Sequence, residues 1–303
     1  MTGTTVSSTP SLFAGHESLR TEPPILREIL FPTDLSPVSQ RAFGHARLLA
    51  ERFGAHLVAY HAMEAPAPGA DALEREVQHR RERAAREHLE RAVQGLSVRA
   101  DVRVERVRSA PSALVDFIRA SGPDVVVMST HGRAGVAQFV LGSVTEHVLQ
   151  HTCAPTLCIR EPEHGVALPY RRILVPTDFS AHSRRAFPLA AGLARAFGAE
   201  VLAVHAADVR VRGATWGISG AVEEGLPSES QLEAFLEAEM GGIRVRPLVE
   251  LGPAWDTITR VAADERVDLI VLSTHGEDSV ADRLLGSHAE RIVRQSACPV
   301  LVV

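Results

Sequence analysis

The segment ILFPTDLSPVSQRAF at residues 29–43 returns as ILVPTDFSAHSRRAF at 173–187, and this self-similarity constrains the fold more than any other feature. The offset of 144 residues holds for Phe53-Gly54 with Phe197-Gly198, for His61 with His205, for the STHG turns at 129–132 and 273–276, for the LGS triplets at 141–143 and 285–287, and for Pro155 with Pro299. Ala110-Pro111 against Gly252-Pro253 slips to 142, so compensating changes fall inside the unit. A period this long is a whole domain rather than one turn of a solenoid. Two homologous domains are expected, at 25–160 and 170–303, joined by a linker at 161–169. Residues 1–24, rich in Ser, Thr and Pro and without hydrophobic period, read as a disordered tail.

Each unit alternates strand and helix signals. In the first, Ile29-Leu30-Phe31 reads as a buried strand, and Ser36-Pro37 supplies an N-cap and an N1 proline for a helix that runs to Phe53 and stops at Gly54. Leu57 to Tyr60 is the next strand, and the Arg/Glu-rich stretch from Asp71 to Gln94 is a surface helix ended by Gly95. Val98, Ala100, Val102 and Val104 alternate as an outer strand does. Pro111 opens a third helix, Val125 to Met128 is a wholly apolar strand, Ser143 caps a fourth helix, and Thr156 to Ile159 closes the unit. Apolar strands alternating with helices imply a parallel sheet covered on both faces, a doubly wound α/β domain of five strands, repeated. Duplicated domains usually keep the interface their ancestor used as a homodimer, so an internal pseudo-dimer is expected.

Composition removes several functions. The chain has no Lys, which excludes a Walker-type Gly-Lys-Ser/Thr loop and Schiff-base catalysis. A net charge of −5 argues against nucleic acid as partner, and the Arg80–Arg91 stretch interleaves Glu82, Glu87 and Glu90 at helical spacing, as a solvated helix face does. No run of eighteen apolar residues and no signal-like N-terminus occur, so no membrane partner is expected and the cytoplasm is the expected location. Three cysteines, Cys153, Cys158 and Cys298, form no paired framework and read as small buried hydrophobes. His147, His151 and Cys153 lack a second half with zinc-ligand spacing, so no metal site is assigned.

In a doubly wound sheet, ligands bind beyond the carboxyl ends of the strands where the winding direction reverses. Pro32-Thr33-Asp34 leaves the first strand there, and Ser129-Thr130-His131-Gly132 leaves the fourth, followed by nine residues and Gly142-Ser143 at a helix start. Pro176-Thr177-Asp178, Ser273 to Gly276 and Gly286-Ser287 repeat the set. Without Cβ, Gly132 and Gly142 let backbone N–H groups approach an anion closely and adopt φ > 0, and the helix after Gly142 directs its positive end at that anion. Asp34 would repel phosphate, so its place is the sugar end of a nucleotide, where a charged hydrogen bond contributes about 1.5–3 kcal/mol. Caps and helix starts use the same residue types, and a copied fold copies its caps. His131 and His275 have no activated nucleophile beside them, no catalytic residue is assigned, and His61 and His205 at strand ends read as packing residues.

The ILFPTD and ILVPTD strands, the STHG turns, the LGS helix starts and the apolar strands after Ala-Pro and Cys-Pro resemble universal stress protein domains. The resemblance spans nearly the whole chain apart from 1–24, the linker, 62–97 and 207–240. In that family Gly, two residues, Gly, nine residues, then Gly-Ser or Gly-Thr marks the ATP-binding branch. Gly132 to Gly142-Ser143 and Gly276 to Gly286-Ser287 match it, while Ser129 and Ser273 replace the first glycine and add a side chain near the expected ribose. The resemblance implies that Pro32, Thr33, Asp34 and Ala62 surround adenine and ribose, and that Ser129, Gly132, Arg133, Gly142, Ser143 and Val144 hold ribose and phosphates. It implies a second set of Pro176, Thr177, Asp178, Ala206, Ser273, Gly276, Gly286, Ser287 and His288. It also implies domain pairing through the last strand, an unknown protein partner, and stress signalling without established turnover.

Three readings follow: an ATP-binding regulatory protein, a slow ATPase using a divalent metal such as Mg²⁺, and a partner-binding module with an empty pocket. A homodimer of the tandem chain is compatible with each. The loop at 133–141 carries only Arg133, whereas 277–285 carries Glu277, Asp278 and Asp282 against Arg283, so unequal nucleotide sites are expected.

Overall fold

The computed structural model describes residues 26–66, 69, 71–130, 141–160, 168–207, 227–273 and 286–303. In the first half, β1 (Glu28–Pro32) leads to α1 (Pro37–Phe53), β2 (His56–Glu64), α2 (Ala72–Val93), β3 (Ala100–Val107), α3 (Ala110–Ser121), β4 (Val125–Ser129), α4 (Ser143–His151) and β5 (Thr156–Ile159). The second half repeats the order as β6 (Arg172–Pro176), α5 (Ala186–Phe197), β7 (Glu200–Ala207), α6 (Glu229–Glu239), β8 (Val245–Leu251), α7 (Ala254–Asp264), β9 (Leu269–Leu272), α8 (Ser287–Gln295) and β10 (Val300–Val302).

Local chemistry sets these boundaries. Ser36 Oγ accepts the Ser39 N–H at the start of α1, Pro37 fills the first turn, and Gly54 ends the helix in the left-handed region at φ 64°. Asp71 and Glu74 exchange hydrogen bonds as a capping box at the start of α2. In the second half Ala181 stands where Pro37 does, and the chain begins with a 3₁₀ turn at Ser183–Arg185 before α5. A proline that fixes φ in the first turn is thus matched by a regular helix start, and its absence by a tighter one. Two local expectations are corrected. Gly142, not Ser143, is the cap residue of α4, so Ser143 is its first helical residue. Cys153, between α4 and β5, is exposed, whereas Cys158 within β5 and Cys298 before β10 are buried.

The ten strands among the described residues form one sheet in the order β3-β2-β1-β4-β5-β10-β9-β6-β7-β8. Within each half the pairing is parallel, and β5 and β10 join the halves antiparallel, with Cys158, Leu157 and Thr156 opposite Val300, Leu301 and Val302. The expected internal pseudo-dimer is therefore a continuous sheet through both closing strands. Burial crosses the junction too. Under α1 and α5 a single core holds Ile29, Phe31, Leu157, Phe187, Leu193 and Leu301 from both halves. On the opposite face Leu141, Leu149 and Cys158 of the first half pack with Ile292, Val293 and Val300 of the second. Leu157 and Leu301 are 1% and 3% exposed, and burying two leucines is worth roughly 3–6 kcal/mol.

Candidate functional site

In each half the winding reverses beside the first strand: β1 has β2 on one side and β4 on the other, and β6 stands likewise between β7 and β9. The ends of β1 and β4 therefore stand on either side of the reversal point, where a crevice opens in such sheets, as do the ends of β6 and β9.

The turn after β1 is built almost entirely from its own side chains. Thr33 N–H reaches back to the Tyr60 carbonyl of β2 at 2.9 Å, and Thr33 Oγ1 accepts the Leu35 N–H at 3.0 Å while sharing a 2.7 Å hydrogen bond with Ser39. Asp34 Oδ1 accepts the Ser36 N–H at 3.0 Å, an Asx turn that fixes the direction of the carboxylate. Leu35 consequently sits at φ 63°, which is costly for a branched side chain and is held by the surrounding bonds. His61 donates from Nδ1 to the Thr33 carbonyl at 2.7 Å, tying the end of β2 to this turn. The expectation for His61 thus extends from packing to a specific staple.

Every one of these features recurs. Thr177 N–H bonds the Val204 carbonyl, Thr177 Oγ1 accepts from Phe179 N–H and pairs with Ser183, Asp178 Oδ1 accepts the Ser180 N–H at 3.0 Å, and His205 Nδ1 donates to the Thr177 carbonyl at 2.9 Å. Phe179 takes φ 64°, matching Leu35. Pro32 and Pro176 end their strands and Ala62 and Ala206 lie within the last residues of theirs, with Pro32 paired in register with Tyr60 and Pro176 with Val204.

Across the crevice, β4 ends at Ser129 and α4 begins at Ser143. Thr130 N–H bonds the Ile159 carbonyl, Gly142 N–H bonds the Thr130 carbonyl at 2.7 Å, and Thr145 Oγ1 donates to the Ser129 carbonyl at 2.9 Å, which fastens the first turn of α4 to the end of β4. Gly142 has φ −62° and ψ 141°, a conformation open to any residue. The expected positive φ at Gly142 is therefore corrected: what its glycine offers is the missing side chain at a helix start. Gly286 takes the same conformation, φ −58° and ψ 144°, before α8. Ser143, Ser287 and His288 are exposed, and Asp34, Ser129, Gly142, Val144, Asp178 and Ser273 are half-buried, as befits groups lining a crevice. The equivalent of Thr145 is Ala289, so α8 lacks that hydroxyl anchor. Gly132, Arg133 and Gly276, together with His131, His275 and the loop charges from Glu277 to Arg283, lie outside the described residues.

Three hydroxyls that shape the site, those of Ser39, Ser183 and Thr145, emerge only in the fold. The signal existed in the repeat for the serines, which keep the offset of 144, but not for Thr145, whose equivalent differs.

The model of the universal stress protein family matches residues 26–160 and again 169–303. The chain belongs to that family. It is 36% identical over 140 residues to a universal stress protein of Methanocaldococcus jannaschii, an alignment covering 44% of this chain and 82% of that one. A universal stress protein of Mycobacterium tuberculosis is 27% identical over 218 residues, 69% of this chain and 70% of its own. Among solved structures, a universal stress protein from Archaeoglobus fulgidus superposes with a TM-score of 0.69 over 91% of this chain and 97% of that one at 20% identity, which supports the fold. Universal stress protein domains in tandem, on one mostly parallel sheet, account for the duplicated turns and helix starts.

The residues present suit a ligand with a polar sugar and an anionic chain. Each crevice sets an oriented carboxylate on one wall and a helix start with a glycine cap on the other, the complement of a polar sugar and an anionic chain. Burial holds the Cys158 thiol near 12 and the Cys298 thiol near 11, so neither is a nucleophile at neutral pH. No described helix is long and apolar enough to cross a membrane, and no group of His, Cys, Asp and Glu suited to a metal occurs among the described residues.

Proposed function

We propose that this stress-response family member is an ATP-binding regulatory protein with two sites, one per half. The observation that carries the reading is the recurrence, at both reversal points, of one arrangement: Asp34 or Asp178 held by an Asx turn after the first strand, and a helix capped by Gly142 or Gly286 after the strand paired beside it. A copied fold copies caps, but Leu35 and Phe179 also hold a costly left-handed backbone at the same point, and such outliers concentrate at binding sites. In this reading Asp34 and Asp178 take the ribose hydroxyls, Pro32, Thr33, Ala62 and their equivalents border the base, and the first N–H groups of α4 and α8 with Ser143 and Ser287 receive phosphate. Mg²⁺ would accompany the phosphates. The protein is read as a binder rather than an enzyme, because both acids are fixed in their own turns, an arrangement suited to recognition.

The test is direct. Protein purified from cytoplasm without added nucleotide is denatured, and the released small molecules are measured by absorbance and chromatography, with ATP, ADP and cAMP as standards; a family structure was solved with cAMP. Adenine nucleotide at up to two equivalents per chain is expected. Protein free of nucleotide that also fails to take up added ATP would favour the partner-binding module.

A further inference from the structure

At the junction between the halves one polar pair breaks the repeat's symmetry. His45 of α1 and the Tyr170 hydroxyl, from opposite halves, are hydrogen-bonded at 2.6 Å, with His45 7% and Tyr170 0% exposed. Tyr170 also meets Phe197 edge-on, and Phe197 meets its own repeat equivalent Phe53 edge-on, so the pair flanks the pseudo-two-fold axis. Moving His45 and Tyr170 to their equivalents across that axis gives Leu189 and Leu26, both buried in the same core. One side of the axis is therefore His with Tyr, and the other is Leu with Leu.

We propose that the His45–Tyr170 pair makes each half recognise the other half rather than a second copy of itself. In a pair of two first halves, each His45 would face the partner copy's position 26, a leucine. In a pair of two second halves, each Tyr170 hydroxyl would face position 189, also a leucine. Both mispairings leave buried polar groups without their partner, whereas the pairing of unlike halves satisfies all of them. An orphaned buried polar group weakens association about tenfold or more, and converting two correct pairs into two wrong ones orphans two histidines and two tyrosines, so the exchange is disfavoured on the order of 10⁴-fold. The closing strands β5 and β10 add no such discrimination at their centre, since Leu157 faces Leu301 and either could face its own kind. Burial drives the His45 pKa down to about 4, so the ring is neutral at working pH and Nδ1 has one partner to find. This inference is independent of the nucleotide reading.

The test begins with the full chain carrying a protease site within residues 161–167, cut after folding. The nicked protein is unfolded in urea, refolded by dilution, and its pairs are weighed by native mass spectrometry. The parent should re-form only the unlike pair. His45→Leu with Tyr170→Leu, which makes all four positions leucine, should yield like pairs as well, approaching the 1:2:1 ratio of random pairing. Random pairing in the parent, or exclusive unlike pairing in the double variant, would overturn the proposal. A cycle on the uncut chain decides the matter where nicked halves do not refold: each single variant should lower the folding constant tenfold or more, and the double variant should regain most of that loss. Losses that simply add would overturn it equally.

Discussion

Leu157 and Leu301 face each other at the centre of the antiparallel junction, and they are the same residue of the repeat, 144 positions apart. Thr156 and Cys158 then oppose Val302 and Val300, each the equivalent of the other's partner, so the pseudo-two-fold axis runs between the two leucines. A domain pair held by paired backbone and two shared cores does not depend on its covalent link. Cutting the chain near Gly165 should leave one species on gel filtration at micromolar concentration; two species of half the mass would contradict a shared sheet.

Acid should weaken the fold through His45. Its folded pKa, lowered by burial from 6.5 to about 4, means that between these values the unfolded chain binds a proton that the folded chain refuses. Stability from this group is therefore whole above pH 6.5 and falls as pH drops toward 4, by about 1.4 kcal/mol per unit of pH. Unfolding free energies from urea titrations at pH 7.5 and 5.0 should differ by about 2 kcal/mol more in the parent than in the chain with His45→Leu and Tyr170→Leu. Equal pH dependence in both would contradict the buried neutral ring.

The second half pays for one departure from the repeat. Gly122 ends α3 at φ 61°, while its equivalent Arg266, after α7, holds φ 51° with an ordinary side chain. Arg266→Gly should stabilise the protein by about 0.5–1 kcal/mol, measured by urea unfolding. No gain would mean that the exposed arginine makes compensating contacts.

Much of the fold was legible because its signals are local. Ser36, Pro37 and Gly54 bound α1 by capping chemistry that three adjacent residues carry, and Thr156–Ile159 is a strand by composition alone. The repeat itself made the pairing of halves readable. What escaped was set at a distance or by a single atom. The His45–Tyr170 bond joins residues 125 positions apart, and neither has an equivalent of its own type in the other half. Glycine at 142 was legible as a helix start, but its negative φ was not, since a glycine's identity permits either sign. Thr145 is an ordinary helical residue by type, and only the fold brings its hydroxyl to the Ser129 carbonyl.

That negative φ sharpens one test of the phosphate wall. Val at position 142 suits the observed φ and ψ and costs at most about 1 kcal/mol as a poorer cap. Gly142→Val should leave the unfolding midpoint nearly unchanged while weakening ATP binding at the first site tenfold or more, because the branched side chain stands where phosphate must meet backbone. Unchanged affinity by calorimetry would remove Gly142 from the site.

Each of the two crevices is proposed to bind adenine nucleotide through one oriented carboxylate. Asn in place of Asp34 or Asp178 keeps the oxygen that accepts the Ser36 or Ser180 N–H and removes only the charge, so the turns survive. Calorimetric titration of the intact chain with ATP and Mg²⁺ should show Asp34→Asn and Asp178→Asn each weakening a different site by tenfold or more, about 1.4 kcal/mol, and the double variant losing both. A double variant that binds ATP as the parent does would contradict the account.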